Sequence, residues 1–415
     1  MLQAVQNFLH ALPVPVLLLV GIMTLSGFYL GKSMRFVRLP SIIGFMLVGV
    51  FLGPSVLGFL GEELKDSISF ITEIALGFVA ISIGLELSFS ALKNQGIGIV
   101  LIIIAESFLA FIVVTLAVYF LTRNLALALI FGSLAPASAP AGTVAVIQEY
   151  KARGNLTKAL YAVVGFDDGL AIVIFGFAFA VARSLLLQDN GGTPEAWWRL
   201  IAAPLLEIVL SVLIGAVIAV LYRLLARGLS ERRDLFILTF ATVLITVGIC
   251  ELLHLSLILT NLVVGLVIVN TQASVLTEKI KGELTDVMPL LFVLFFVLAG
   301  SNLHLALLPS LGLVGAVYIV SRSAGLMGGA WIGAVAGRAE PKIRRYLGMG
   351  ILSQAGVAIG LALVVKQTLS PEGPWGTRLG TLIITTITAT SIIFEIAGPV
   401  LCKLGLQKAG EIPKA

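Results

Sequence analysis

The stretch LAPASAPAGTV, Leu134 to Val144, puts Pro136, Pro140 and Gly142 in the middle of an apolar run. Proline removes a backbone donor and clashes with the preceding turn, so a helix through this stretch breaks. A second apolar run carries GILSQAGVAIG, Gly350 to Gly360, in which Gly350, Gly356 and Gly360 surround Ser353 and Gln354. Glycine alone is a weak breaker and often only allows close packing. The weight of the two stretches therefore rests on where they fall in the chain.

A helix that crosses a bilayer needs about 20 mostly apolar residues. That rule gives about thirteen spans: 12–32, 39–59, 68–91, 95–122, 124–148, 157–187, 197–228, 234–253, 256–271, 284–306, 311–337, 343–367 and 377–404. All should be helical, because lipid cannot pair an open strand edge. The breaks fall in spans 5 and 12, each one place before the last span of a set of six. Spans 1–6 (about 12–187) and 8–13 (about 234–404) form the two sets, and span 7 (about 197–228) links them. Seven spans separate equivalents, so the sets have opposite orientation. The expected fold is an all-α polytopic membrane protein with two inverted six-helix repeats and crossed discontinuous helices. In such a fold the paired breaks mark a site at mid-membrane, where half-helix ends present dipole charges.

Composition agrees. The chain of 415 residues is 59% hydrophobic and 12% charged, too little polar surface for a soluble protein of this length. The first run, Leu12 to Leu30, leads into Gly31-Lys32 without a cleavage site and reads as a retained span rather than a signal peptide. Cys250 and Cys402 stand apart, and His10, His254 and His304 are scattered, which argues against zinc, iron–sulfur and disulfide frameworks. The sequence holds no Walker-type phosphate loop, no HExxH and no Ser/His arrangement for a hydrolase. No resident cofactor and no enzymatic activity are expected.

The net charge of +5 is topological rather than a nucleic-acid signature. One set of loops holds Lys32, Arg35, Arg38, Lys93, Lys151, Arg153, Lys158, Arg223, Arg227, Arg232, Arg233, Lys279, Lys281, Arg338, Lys342, Arg344 and Arg345. The tail adds Lys403, Lys408 and Lys414. The opposite loops hold only Lys65, Arg123, Arg183, Arg199, Lys366 and Arg378. The positive-inside rule makes the first set cytoplasmic. The N-terminus is then outside and the C-terminus inside, as an odd number of spans requires. The tail is too short for a nucleotide-sensing module, so a single transmembrane unit is expected, in a bacterial inner membrane.

Ionisable residues inside spans are functional hypotheses by default. Asp167 and Asp168 sit near the middle of span 6 in VVGFDDGLAIVIFG. Neighbours on a helix point roughly 100° apart, so one carboxylate can meet a fixed cation while the other faces a cavity. Arg322, in YIVSRSAGLMGGA of span 11, is the deepest basic residue and the expected charge partner. The excess acid can trade a proton for a monovalent cation. Glu86, near the end of span 3, is a possible helper. Glu106, Glu207 and Glu395 read as interhelical hydrogen-bonding groups, and Glu251 and His254 as interfacial. Ser138, Thr143, Asn261, Ser353 and Gln354 are candidates to bond loosened backbone or line an ion path.

RLPSIIGFMLVGVFLGPSVLG (Arg38 to Gly58), ISIGLEL (Ile81 to Leu87), GFDDGLAI (Gly165 to Ile172) and FEIAGPVLCKLGLQKAGE (Phe394 to Glu411) occur in that order. Together they resemble the monovalent cation:proton antiporter-2 family, with its Kef-type and NapA-type members, from about residue 20 to 411. The resemblance implies a homodimer whose protomers each have a dimerisation domain and an elevator-like core with crossed broken helices. It matches Asp168 to the cation-binding aspartate, Asp167 to the one that pairs with a basic residue, and Arg322 to that basic residue. Electrogenic relatives carry Lys there; Arg resembles the electroneutral exchangers and the animal relatives that retain the Asp–Asp pair. Arginine effectively never loses its proton, so the expectation is one cation (Na+, or Li+ or K+) for one proton. Many relatives carry Thr-Asp at the first crossing, where this chain has Ser138-Ala139-Pro140. Kef-type systems also carry a nucleotide-binding domain, which disfavours that subtype.

The alternative is a sodium-coupled carrier of an organic solute on the same fold. The small, acidic set of deep polar residues suits a bare cation better. A cation channel has no filter repeat, and Arg322 at mid-membrane would repel cations from an open pore.

Overall fold

The structure is a computed structural model describing residues 15–37, 39–53, 56–60, 62–88, 97–189, 197–229, 231–301 and 312–413. His10, Arg38, Lys93, His304 and Lys414 lie outside the described residues, as do the expected span ends at 12–14, 89–91, 95–96, 302–306 and 311, and residues 54–55 of the second span. The helices are α1 (Val16–Ser33), α2 (Ser41–Leu52), α3 (Glu62–Glu86), α4 (Ile97–Thr122), α5 (Leu125–Leu134), α6 (Pro140–Glu149), α7 (Asn155–Asp189) and α8 (Trp197–Ala226). There follow α9 (Arg232–Leu253), α10 (Leu257–Thr271), α11 (Ser274–Ser301), α12 (Gly312–Ala336), α13 (Pro341–Gly350), α14 (Gly356–Leu369) and α15 (Pro374–Ala409). Among the described residues, nine helices are long and apolar enough to cross a membrane. The protein is all-α and polytopic.

Each expected span has its helix or broken pair of helices. The order long, short, long, long, broken, long occurs twice, before and after α8. The short members are α2 and α10, of 12 and 15 residues. Helix α11 starts ten residues before the expected 284. The segment Ser274 to Glu283 is too polar to count as a span, and its one glycine, Gly282, is a weak breaker, so the helix runs on through it. Helix α15 runs five residues past 404 and stops where Gly410 takes the left-handed conformation (φ 72°). Four other helix ends place Arg123, Lys151, His254 and Arg338 at positive φ. The arginine and lysine side chains there complement the negative end of the helix dipole.

The chain divides into two compact units. The first comprises Met1–Glu86, Val144–Tyr150 and Val212–Ala306; the second Leu87–Thr143, Lys151–Ser211 and Leu307–Ala415. In the first unit, α2 packs on α11 and α3 on α10. These contacts are backbone to backbone: a Cβ on Gly49 would strike the Val297 carbonyl, and one on Gly265 the Ile81 carbonyl. Leu19, Met23, Val48, Leu52, Val293 and Val297 belong to its buried core. Glu149 caps α2 from 108 residues away, its carboxylate accepting from the backbone N–H and the hydroxyl of Ser41, both at 2.8 Å.

In the second unit, α12 lies along α4. The stripe Gly325, Gly329 and Gly333 brings the two backbones together, and a Cβ on Gly329 would strike Glu106 Cα. The start of α7 is capped from the far end of the chain. The carboxylate of Glu411 accepts from Leu156 N (2.8 Å), Thr157 N (2.7 Å) and Thr157 Oγ1 (2.7 Å), and Arg153 N donates to the Glu411 carbonyl (2.9 Å). Glu411 is buried, and bonds to a charged acceptor are the strong ones. Glu411→Ala should therefore cost about 2 kcal/mol and lower the apparent melting temperature in detergent by several degrees. Glu411→Gln, which keeps one acceptor oxygen, should cost less. An unchanged melting profile for the alanine variant would refute the role of this cap.

Candidate functional site

Helix α5 ends at Leu134 and α6 begins at Pro140; α13 ends at Gly350 and α14 begins at Gly356. Each break is five residues of non-helical chain. The proline stretch and the glycine stretch thus interrupt their helices at matching places, and the two segments cross. Ala139 N donates to the Ser353 carbonyl at 3.0 Å, and Thr143 Oγ1 to the Gly350 carbonyl at 2.6 Å. Helix α15 lies against the crossing at Gly398, where a Cβ would fall on the hydroxyl and then the backbone of Ser353.

Broken helices leave carbonyls without partners and negative dipole ends in a dry interior. Arg322 meets this need. Its Nε donates to the Ala135 carbonyl (2.9 Å), Nη1 to that of Leu352 (2.8 Å), and Nη2 to those of Ala137 (2.9 Å) and Ser353 (3.4 Å). Its Cζ lies 4.4 Å from the Phe394 ring centre, and the whole side chain is buried. The expected pairing of Arg322 with Asp167 needs correction: no direct ion pair joins them. The guanidinium fork is committed to the C-terminal ends of α5 and α13, and Arg322 acts on Asp167 only through space. Asp168 interacts through space with the neighbouring carboxylates Asp167 and Glu106.

The two aspartates stand side by side on α7. Asp167 is fully buried and Asp168 is 6% exposed. None of their four carboxylate oxygens has a hydrogen-bond partner among the described residues. Ser138, in the first break, interacts with both, its hydroxyl with Asp167 and its backbone N–H with Asp168, without closing a hydrogen bond. The hydroxyl of Ser353 and Oε1 of Gln354 also lack partners. In a dry protein interior, partnerless polar oxygens are rare and call for an explanation. Carboxylates together with neutral oxygens are the ligands that hard cations take.

The remaining candidates divide. Thr143 and the amide nitrogen of Gln354 are struts: Gln354 Nε2 donates to the Leu134 carbonyl (3.1 Å) and to Tyr318 Oη (2.8 Å). Glu86 belongs to the other unit and pairs with Lys281 at 3.1 Å; it is engaged rather than free to help. Asn261, also in the other unit, donates back to the Leu257 carbonyl of its own helix. Two residues join the site that the sequence reading placed elsewhere or passed over. Tyr318 positions Gln354. Glu106, fully buried on α4, accepts from Ser107 Oγ with one oxygen (2.7 Å) and leaves the other without a partner. It interacts through space with Asp167, Arg322 and Asp168. The clue was the four-residue spacing of Gly325, Gly329 and Gly333 after Arg322, which turns one face of α12 toward α4.

The sequence profile described as sodium/hydrogen exchanger, transmembrane, matches residues 20–399. A comparison with curated proteins finds no match. Two solved structures of the sodium proton antiporter MjNhaP1 from Methanocaldococcus jannaschii share the fold. The structure at pH 8 superposes with a TM-score of 0.66 at 17% identity, over 96% of this chain and 99% of that one. The structure from an electron-microscopy map gives 0.69 at 17% identity, over 95% and 98%.

Proposed function

The chain belongs to the sodium/hydrogen exchanger family, and on that footing we propose that it exchanges one monovalent cation for one proton, with Asp168 as the shared site. Sodium is the first candidate, with lithium and potassium as alternatives. The observation that carries the reading is the Asp167–Asp168 pair, buried beside two crossed breaks with no oxygen partnered among the described residues.

Asp168 holds either the cation or the proton. With the cation bound, the hydroxyls of Ser138 and Ser353 and the free oxygen of Gln354 are the neutral oxygens available to complete the shell. Asp167 stays in the field of Arg322 and keeps the charge beside Asp168 steady. Arg322 cannot release a proton, so the traffic falls on one carboxylate. Access alternates by movement of the unit that carries the crossing, and the protein works as a homodimer. The narrower kinship with the antiporter-2 branch rests on GFDDGLAI and on the Asp–Asp pair itself.

One-for-one exchange moves no net charge. On a solid-supported membrane, a sodium step should produce no sustained current, while a pH-sensitive dye in the same proteoliposomes reports proton movement without any organic solute. A current that reverses where two protons per cation balance would overturn the stoichiometry. Proton movement that needs an organic solute would overturn the reading as a whole.

A further inference from the structure

Away from the crossing, on the same unit, the ends of several helices enclose a cavity of about 280 Å³. Its walls come from the start of α4, the start of α7 and the turn between α12 and α13. Ile99, Ile102 and Ile343 line it and are buried. Lys158 and Arg338 also line it, and neither has an ion-pair partner among the described residues. The acid at the rim, Glu340, is held by Asn155 Nδ2. Glu340 stands at the N-cap of α13 without making a side-chain cap bond, and Arg344 Nε pins the turn at the Ala339 carbonyl (2.7 Å). The backbones of α4 and α12 meet at Gly98 and Gly337, so no side chain fills the cavity from that side.

The same two helices present aliphatic surface beside the cavity: Val100 and Ile104 on α4, and Ile332 and Val335 on α12, are all exposed. Two basic groups next to an apolar floor and aliphatic walls match a molecule with an anionic head and hydrocarbon tails. The volume suits a headgroup, not a nucleotide, and the lining holds no aromatic ring on which a base could stack. We infer that this cavity binds the phosphate of an anionic phospholipid through Lys158 and Arg338, with the acyl chains along α4 and α12. Basic groups between membrane helices recognise such headgroups. The site is built partly on the first turn of α7, the helix that carries Asp167 and Asp168.

Native mass spectrometry of the full-length protein in detergent tests this, with phosphatidylglycerol, phosphatidylcholine or inorganic phosphate as the added probe. Wild type should retain phosphatidylglycerol in preference to phosphatidylcholine, and inorganic phosphate should not displace it. Two basic groups removed together should weaken that retention by about 25-fold in the variant K158Q/R338Q. The variant K158R/R338K, which keeps both charges, should retain the lipid. Equal retention of phosphatidylglycerol by wild type and K158Q/R338Q would overturn the inference. Displacement by inorganic phosphate would also overturn it, since the tails would then contribute nothing.

Discussion

Asp168→Asn should abolish cation-driven proton movement in proteoliposomes, lowering the rate by at least ~100-fold. Asparagine keeps the size and shape of the side chain but can neither carry the proton nor offer a charge to the cation. Asp168 is the less buried member of the pair, and its neighbour Asp167 is the one that lies in the field of Arg322. The variant should fold, because no hydrogen bond to another described residue is lost. A second measurement separates loss of the ion site from general damage. A ligand at a hundred times its dissociation constant stabilises a protein by about 2.7 kcal/mol, so sodium should raise the melting temperature of wild type and leave that of Asp168→Asn unmoved. Retained exchange in the variant would remove Asp168 from its assigned role.

Arg322→Ala should be the most damaging single substitution in the second unit. It leaves the carbonyls of Ala135, Leu352, Ala137 and Ser353 without their donor in an interior from which water is excluded. Each orphaned acceptor costs about 1–3 kcal/mol, so the total is at least about 4 kcal/mol, enough to unfold a marginally stable protein. Arg322→Lys should fall between: the charge remains, but three donors on one nitrogen cannot span two half-helix ends. Thermal unfolding in detergent ranks the three proteins. A double-mutant cycle with Asp167→Asn then distinguishes a backbone clamp from a charge partner. If the arginine served mainly to neutralise Asp167, removing both would restore stability. The geometry predicts no rescue, and a restored melting temperature in the double variant would sink the clamp.

Much of this molecule was legible in its amino-acid order. Hydropathy located every membrane helix, most of them to within about five residues; α2 stops seven residues short of the expected 59, α3 begins six residues early and α11 ten. In α11, a polar but unbroken segment extends a helix past its apolar stretch, and a hydropathy rule has no means of seeing it. Pro136 and Pro140 announced the first break, since a missing N–H acts on its own turn whatever surrounds it. The second break, around Ser353 and Gln354, was legible only through its position relative to the first. Asp167 and Asp168 stood out because ionisable groups are rare among apolar residues.

The partnerships of the buried charges were not legible. Arg322 was expected to meet an aspartate because opposite charges at similar depth invite pairing. It meets four backbone carbonyls instead. Those acceptors belong to every residue alike and leave no mark in a sequence. Glu106 read as an interhelical hydrogen-bonding group, yet it accepts from Ser107 on its own helix and shares the field of Arg322 and the aspartates. Glu86 read as a helper and is held by Lys281. The amino-acid sequence by itself therefore determined the spans, the breaks and the pair of acids, because hydropathy, proline and charge act through neighbours along the chain. Only the tertiary structure decided which face of each helix turns toward which other, because rotation about a helix axis is set by packing between distant segments. On that rotation depends whether the buried arginine clamps a broken backbone or neutralises an acid.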